Sequence, residues 1–99
     1  MIVVRNEFRL KFGMAREARA LWVEGKSIIE AVPGHPATRV MVDVSGPNYT
    51  WVIENTFASL TAFEAEMPVV FGNPAWHAWY QKFAALVEEG HRTIYSVVE

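Results

Sequence analysis

Four side chains have types and settings that could do chemistry: Asn6, Asn55, His77 and Tyr80. Asn6 sits in the middle of an apolar strand face formed by Ile2, Val4, Phe8, Leu10 and Phe12, where an amide needs a hydrogen-bond partner or a ligand to offset its lost hydration. Asn55 is a second lone amide, sharing a face with Tyr49, Trp51, Ile53 and Phe57. If antiparallel pairing sets Phe12 opposite Tyr49, Asn6 falls opposite Asn55, and the two amides either satisfy each other or form a polar anchor at the floor of a pocket. His77 lies about 100° around a helix from Trp76, beside Tyr80 and Ala84. It is placed either as a general base at a pocket mouth or as a partly exposed surface residue. Tyr80 is expected to project inward and offer its hydroxyl to a ligand or to Asn6. Trp76, Trp79, Trp51 and Phe57 present flat surfaces suited to a polycyclic aromatic ligand, or simply fill the core. His35 and His91 fall in expected loops without a neighbouring ligand pattern. With no His-x-x-x-His or carboxylate–histidine cluster, neither metal nor cofactor is expected.

The elements that must position these groups follow from periodicity. Residues 1–12 alternate, with Arg5, Glu7, Arg9 and Lys11 opposite the apolar set. After Gly13, Met14, Ala18, Leu21, Ile28 and Ile29 recur at helical spacing up to Val32, with Gly25 in the same stripe. Pro33-Gly34-His35-Pro36 ends that helix. Strands are predicted over Ala37–Val44 and Tyr49–Phe57, joined by the turn Ser45-Gly46-Pro47-Asn48. Ser59 or Thr61 can cap a short helix bearing Leu60, Phe63 and Met67, with Glu64 placed for a capping box with Thr61 and Pro68 as an interruption. Asn73-Pro74 is a strong helix start. That helix is predicted to run to about Glu89 with Trp76, Tyr80, Phe83 and Val87 inward, Trp79 and Leu86 on the flank, and Gly90 as its stop. Arg92–Val98 closes the chain as a strand. The order β-α-β-β-α-α-β is that of an α+β, ferredoxin-like domain, an antiparallel four-stranded sheet with strands one and three central and all helices on one face.

Ninety-nine residues allow one domain, covering residues 1–99. A net charge of −2 with scattered basic residues excludes the electrostatic footprint of a nucleic-acid binder. The absence of cysteine excludes disulfides and thiolate chemistry and fits a reducing, cytoplasmic setting. No apolar run is long enough to span a bilayer, and the amino terminus reads as a strand rather than a signal peptide. If the helices cover the face of Phe8 and Leu10, then Arg5, Glu7, Arg9 and Glu54 lie on the other, where a twofold partner can cover them. Stacking two such sheets makes an eight-stranded dimeric α/β barrel. Glu7 and Glu54 there either share a proton or pair with Arg5, Arg9 or Arg92.

Gly46-Pro47-Asn48-Tyr49-Thr50 leading into Val52-Ile53-Glu54, Phe57-Ala58-Ser59-Leu60 with Phe63-Glu64, and Asn73-Pro74 with Trp79 resemble the dimeric α/β-barrel superfamily, most closely NIPSNAP-like bacterial proteins. The resemblance spans essentially the whole chain and implies a fold and a homodimer more than an activity. Within that superfamily are cofactor-independent monooxygenases of polyketide maturation, muconolactone isomerases, and haem-degrading monooxygenases that use an Asn, Trp and His set. Asn6 matches that asparagine, whereas Phe57 and Tyr80 stand at the tryptophan and histidine positions. Three functions follow. One is a homodimer binding a small aromatic ligand through Asn6, Asn55, Phe57, Trp76 and Tyr80. Another is a cofactor-independent monooxygenase or isomerase in which Asn6, Tyr80 and His77 orient and deprotonate a phenolic or enolic substrate. The third is a structural assembly dimer with a filled core.

Overall fold

Alternation and helical periodicity resolve into seven elements in the computed structural model, which describes residues Met1–Glu99: β1 (Ile2–Leu10), α1 (Ala15–Glu30), β2 (Thr38–Val42), β3 (Thr50–Phe57), α2 (Leu60–Phe71), α3 (Pro74–Ala84) and β4 (Val87–Ser96). The strands form one antiparallel sheet in the order β2-β3-β1-β4, so β1 and β3 are central. Because strand side chains alternate, the sheet has two unlike faces. Val4, Asn6, Phe8 and Leu10 of β1 share the helix-covered face with Trp51, Ile53 and Asn55 of β3. Val3, Arg5, Glu7 and Arg9 share the open face with Thr50, Val52, Glu54 and Thr56.

The core lies where α1 and α3 meet the sheet. Trp51, Trp79, Phe83 and Leu10 are its largest fully buried side chains. Rings of this size each remove about 150–250 Å² from water, on the order of 4–6 kcal/mol of transfer free energy per ring as an upper bound. Trp79 stacks on Trp76 at 4.8 Å and on Phe83 at 5.2 Å between centroids, and its indole N–H donates to the Leu21 carbonyl of α1 at 2.7 Å. Gly25 makes this contact possible. A Cβ there would stand 2.4 Å from Cε2 of Trp79, inside the ring's van der Waals envelope.

Several sequence expectations are corrected. α3 ends at Ala84, not near Glu89, because the following residues are claimed by β1: Lys11 donates its N–H to the Leu86 carbonyl, and Leu10 pairs with Val87. Gly90 is therefore no helix stop. It lies opposite Phe8, whose Cδ1 would be 2.8 Å from an added Cβ. Tyr80 and Trp79 exchange roles, since Phe83 centres the buried stripe with Trp79 about 40° to one side and Tyr80 about 60° to the other. α1 packs on the Trp79 side, leaving Trp79 wholly buried and Tyr80 39% exposed. α2 passes through Pro68 uninterrupted, anchored by buried Phe63 and Val70 on either side of it. Ser59 caps α2 by accepting from the Ala62 N–H, so Thr61 lies inside the helix and the expected capping box is not formed. The Asn73-Pro74 start holds, the Asn73 side chain accepting from the Trp76 N–H. Phe12 lies beyond the strand and is 85% exposed, not on the apolar face.

Replacing Gly25 by Ala gains helix propensity of about 1 kcal/mol yet forces a methyl into a rigid ring, and the clash should win, for a net loss of about 1–3 kcal/mol. Urea unfolding should show a lower midpoint for Gly25→Ala, while Ser27→Ala, exposed two residues on, should stay within about 0.5 kcal/mol of the parent.

Candidate functional site

Asn6, Asn55, Phe57, Trp76 and Tyr80 all line one cavity of about 160 Å³ between the sheet, α2 and α3. Their convergence follows from the alternation of β1 and β3 and from the rotation of α3 about its axis that buries Trp79 and leaves Tyr80 at the rim. The register is not the expected one. Asn6 pairs with Ile53, and Asn55 pairs with Val4. A slip of two residues keeps both amides on the same face, so they stand diagonally rather than opposite and do not bond to each other. Each has other partners. The Asn6 Oδ1 accepts from Nε of Arg92 at 2.8 Å, and the Asn55 amide donates to Oγ1 of Thr38 at 2.8 Å and to the Ala37 carbonyl at 3.3 Å.

The sequence reading did not place Arg92, His35 or Glu66 at this site, yet all three line the cavity. Arg92 on β4 faces the cavity, not the open face, because its register partner is Asn6. Its guanidinium also lies 5.7 Å above the Phe63 ring and 3.9 Å from Sδ of Met67, with no carboxylate within ion-pair distance. His35, from the turn between α1 and β2, has partners that its loop setting did not point to, and its side chain is only 8% exposed. Its Nδ1 bonds to Oε1 of Glu66 on α2, and its Nε2 is 3.1 Å from Oγ1 of Thr38 and 3.4 Å from Nδ2 of Asn55. Glu66 lies 31 residues from His35, and Asn6 lies 86 from Arg92. No local spacing encodes either pair. The one signal was Asn6 itself, an amide requiring a partner that only register could name.

His77 is placed elsewhere. It is exposed on the outer side of α3, 3.2 Å from the Gln81 side-chain amide, and takes no part in the cavity. Trp51 and Trp79 belong to the core and offer no face to a ligand. Trp76 has one face against Trp79 and contributes to the cavity wall. On the open face, Glu54 pairs with Arg39 of β2 at 2.5 Å, and Glu7 lies 3.9 Å from Arg5, so the two acids have separate cations and share no proton. Arg9 pairs with Glu88, the extra residue of a bulge in β4, at 3.6 Å.

No family model matches this sequence, and no curated protein does. Solved structures share its fold. A NIPSNAP family protein from Agrobacterium tumefaciens superposes with a TM-score of 0.89 at 21% identity, over 99% of this chain and 86% of that one. An uncharacterized NIPSNAP domain protein from Burkholderia xenovorans gives 0.88 at 18%, over 99% and 95%. SnoaB, a cofactor-independent oxygenase from Streptomyces nogalater, gives 0.73 at 12%, over 99% and 93%. The chain thus has the α+β, ferredoxin-like fold of NIPSNAP proteins and of antibiotic-biosynthesis monooxygenases, as the sequence resemblance implied. No helix is long and apolar enough to cross a membrane.

Removing the imidazole of His35 leaves the largely buried Glu66 carboxylate without its partner, which should cost about 1–3 kcal/mol. Thermal and chemical denaturation of His35→Ala and His77→Ala should separate the two histidines, the second changing stability by no more than about 0.5 kcal/mol.

Proposed function

We propose that this protein binds a small, single-ring aromatic molecule between α2, α3 and the sheet, and that it does so as a homodimer. The observation that carries the first part is the cavity, whose apolar walls include Phe57, Phe63, Val70 and Trp76 and whose few polar groups converge from two sides. This is the usual make-up of a small-molecule site. Its volume of about 160 Å³ sets the scale. Cavities of about 150 Å³ hold a benzene ring, whereas drug-sized ligands occupy about 300–1,000 Å³. A polycyclic ligand is too large. Haem fits no better, because Tyr80 stands where the haem-degraders have histidine, and both ring nitrogens of His35 are already bonded to protein groups. The monooxygenase or isomerase built on His77 loses its base, since that side chain lies outside the cavity.

The open sheet face supports the dimer. Arg5, Glu7, Arg9 and Glu54 stand there among Met41, Val52 and Tyr95, with no helix of the same chain over them. A face that mixes both charge signs with apolar side chains is self-complementary under a twofold axis, and a second copy converts the two sheets into a barrel.

Phenol and benzoate should change tryptophan fluorescence and raise the melting temperature, while haem and flavins should do neither. Asn6→Ala removes the anchor of Arg92 and should weaken benzoate about tenfold. Failure of every single-ring probe to bind would leave the cavity as unfilled core and favour a structural assembly dimer. Light scattering at micromolar concentration should give twice the chain mass, lowered by Arg9→Glu but not by Lys82→Glu on the outer side of α3.

A further inference from the structure

Arg92 and Asn6 give one end of the cavity an excess of hydrogen-bond donors and a charge that nothing in the chain balances. The guanidinium carries five N–H hydrogens in a fixed plane, and the one on Nε is committed to the Asn6 side chain at 2.8 Å. Only the amide oxygen can accept it, which fixes the flip of Asn6. Its Oδ1 is thereby turned to a cation, and Nδ2, with two hydrogens to donate, bonds to no group of the protein. Nη1 of Arg92 has the Met67 sulfur at 3.9 Å, a weak acceptor, and Nη2 has no partner in the chain. The one carboxylate lining the cavity, Glu66, is bonded to His35. The guanidinium is also held in place, by Asn6 at Nε and with its carbon 5.7 Å over the Phe63 ring, so little side-chain freedom remains to be lost when a ligand arrives.

Resting on the reading of the cavity as a single-ring site, we propose that its ligand is a monocyclic aromatic carboxylate, recognised in its ionised form by Arg92 and Asn6. The ring alone matches the cavity volume of about 160 Å³. Its carboxylate has room beside it, because Asn6, Phe8, Tyr80 and Arg92 line both the cavity and an open cleft of about 490 Å³ at the edge of the sheet. The donors stand on the border between the two. Glu89, the acid of that cleft, pairs in register with Arg9 and so alternates onto the open face, away from Arg92. A planar carboxylate accepts from the free guanidinium edge and from Nδ2 together, whereas a carboxamide of the same shape sets an N–H of its own against one of these donors. The site therefore selects by charge and by the lack of a donor, not by shape.

Benzoate and benzamide share a ring and an outline and differ in charge and in one acceptor, so the pair isolates this end of the cavity. Titrated separately into the purified protein and followed by tryptophan fluorescence, benzoate should bind about tenfold more tightly than benzamide, the scale of a charge-assisted hydrogen bond. Arg92→Gln should bring that ratio below about twofold, while Arg16→Gln, which removes an exposed cation of α1 outside the cavity, should leave it unchanged. Equal affinities in the parent protein would overturn the charge preference and leave the single-ring site standing. A ratio that survives Arg92→Gln, or that falls as far in Arg16→Gln, also overturns the proposal. If benzoate, benzamide and phenol all fail to bind, the single-ring reading falls and the proposal with it. Should Arg92→Gln not fold, the comparison of the two ligands in the parent protein still decides.

Discussion

The contact between the Trp79 indole and Gly25 is the constraint on which the rest of the arrangement depends. The ring lies where any side chain of α1 would have to be, and its N–H is fixed to the Leu21 carbonyl. This sets the approach of α1 to α3 and the rotation of α3 about its own axis. With Trp79 turned toward α1, Trp76 and Phe83 stack along the sheet and Tyr80 is carried round to the cavity rim. A rotation of α3 that buried Tyr80 instead would put its ring into the space between α2 and the sheet. The cavity is thus a consequence of how one indole is housed on the far side of the helix.

The parts of the fold legible in the sequence are those set by short-range periodicity. Period two along residues 2–10 and 50–57 put Asn6 and Asn55 on the helix-covered face and Arg5, Glu7, Arg9 and Glu54 on the open one, and a register two residues away from the expected one changed neither assignment. Caps were equally local, as Asn73-Pro74 shows. The end of α3 was not, because Leu86 and Val87 fit a helical stripe as well as they fit a strand. Only the hydrogen bonding offered by the β1 edge decides between the two.

The site was legible in its apolar walls and its amides but not in its charges. Phe57 and Trp76 are found by pattern because large rings at the right period point one way. His35 lies in a proline-flanked turn, where neither helical nor strand periodicity assigns a direction, and its partner comes from a helix 31 residues further along the chain. Arg92 sits on a strand whose pairing, not its composition, chooses which face the guanidinium takes. Long-range pairs of this kind are fixed by topology.

Pro68 gives α2 a property that a regular helix would lack. It has no N–H to offer the Glu64 carbonyl one turn earlier, so a rung of the helix ladder is missing between Phe63 and Val70. Glu66, Met67, Val70 and Phe71, the cavity's α2 wall, all lie at or just beyond that gap. The wall is held there by side chains instead: Glu66 is bonded to His35, Val70 is packed in the core, and Phe63 packs on Phe57 at 5.3 Å between ring centroids. The break in the backbone ladder of α2 therefore coincides with the boundary of the cavity, and the shape of that wall is set by His35 and the core rather than by the helix itself.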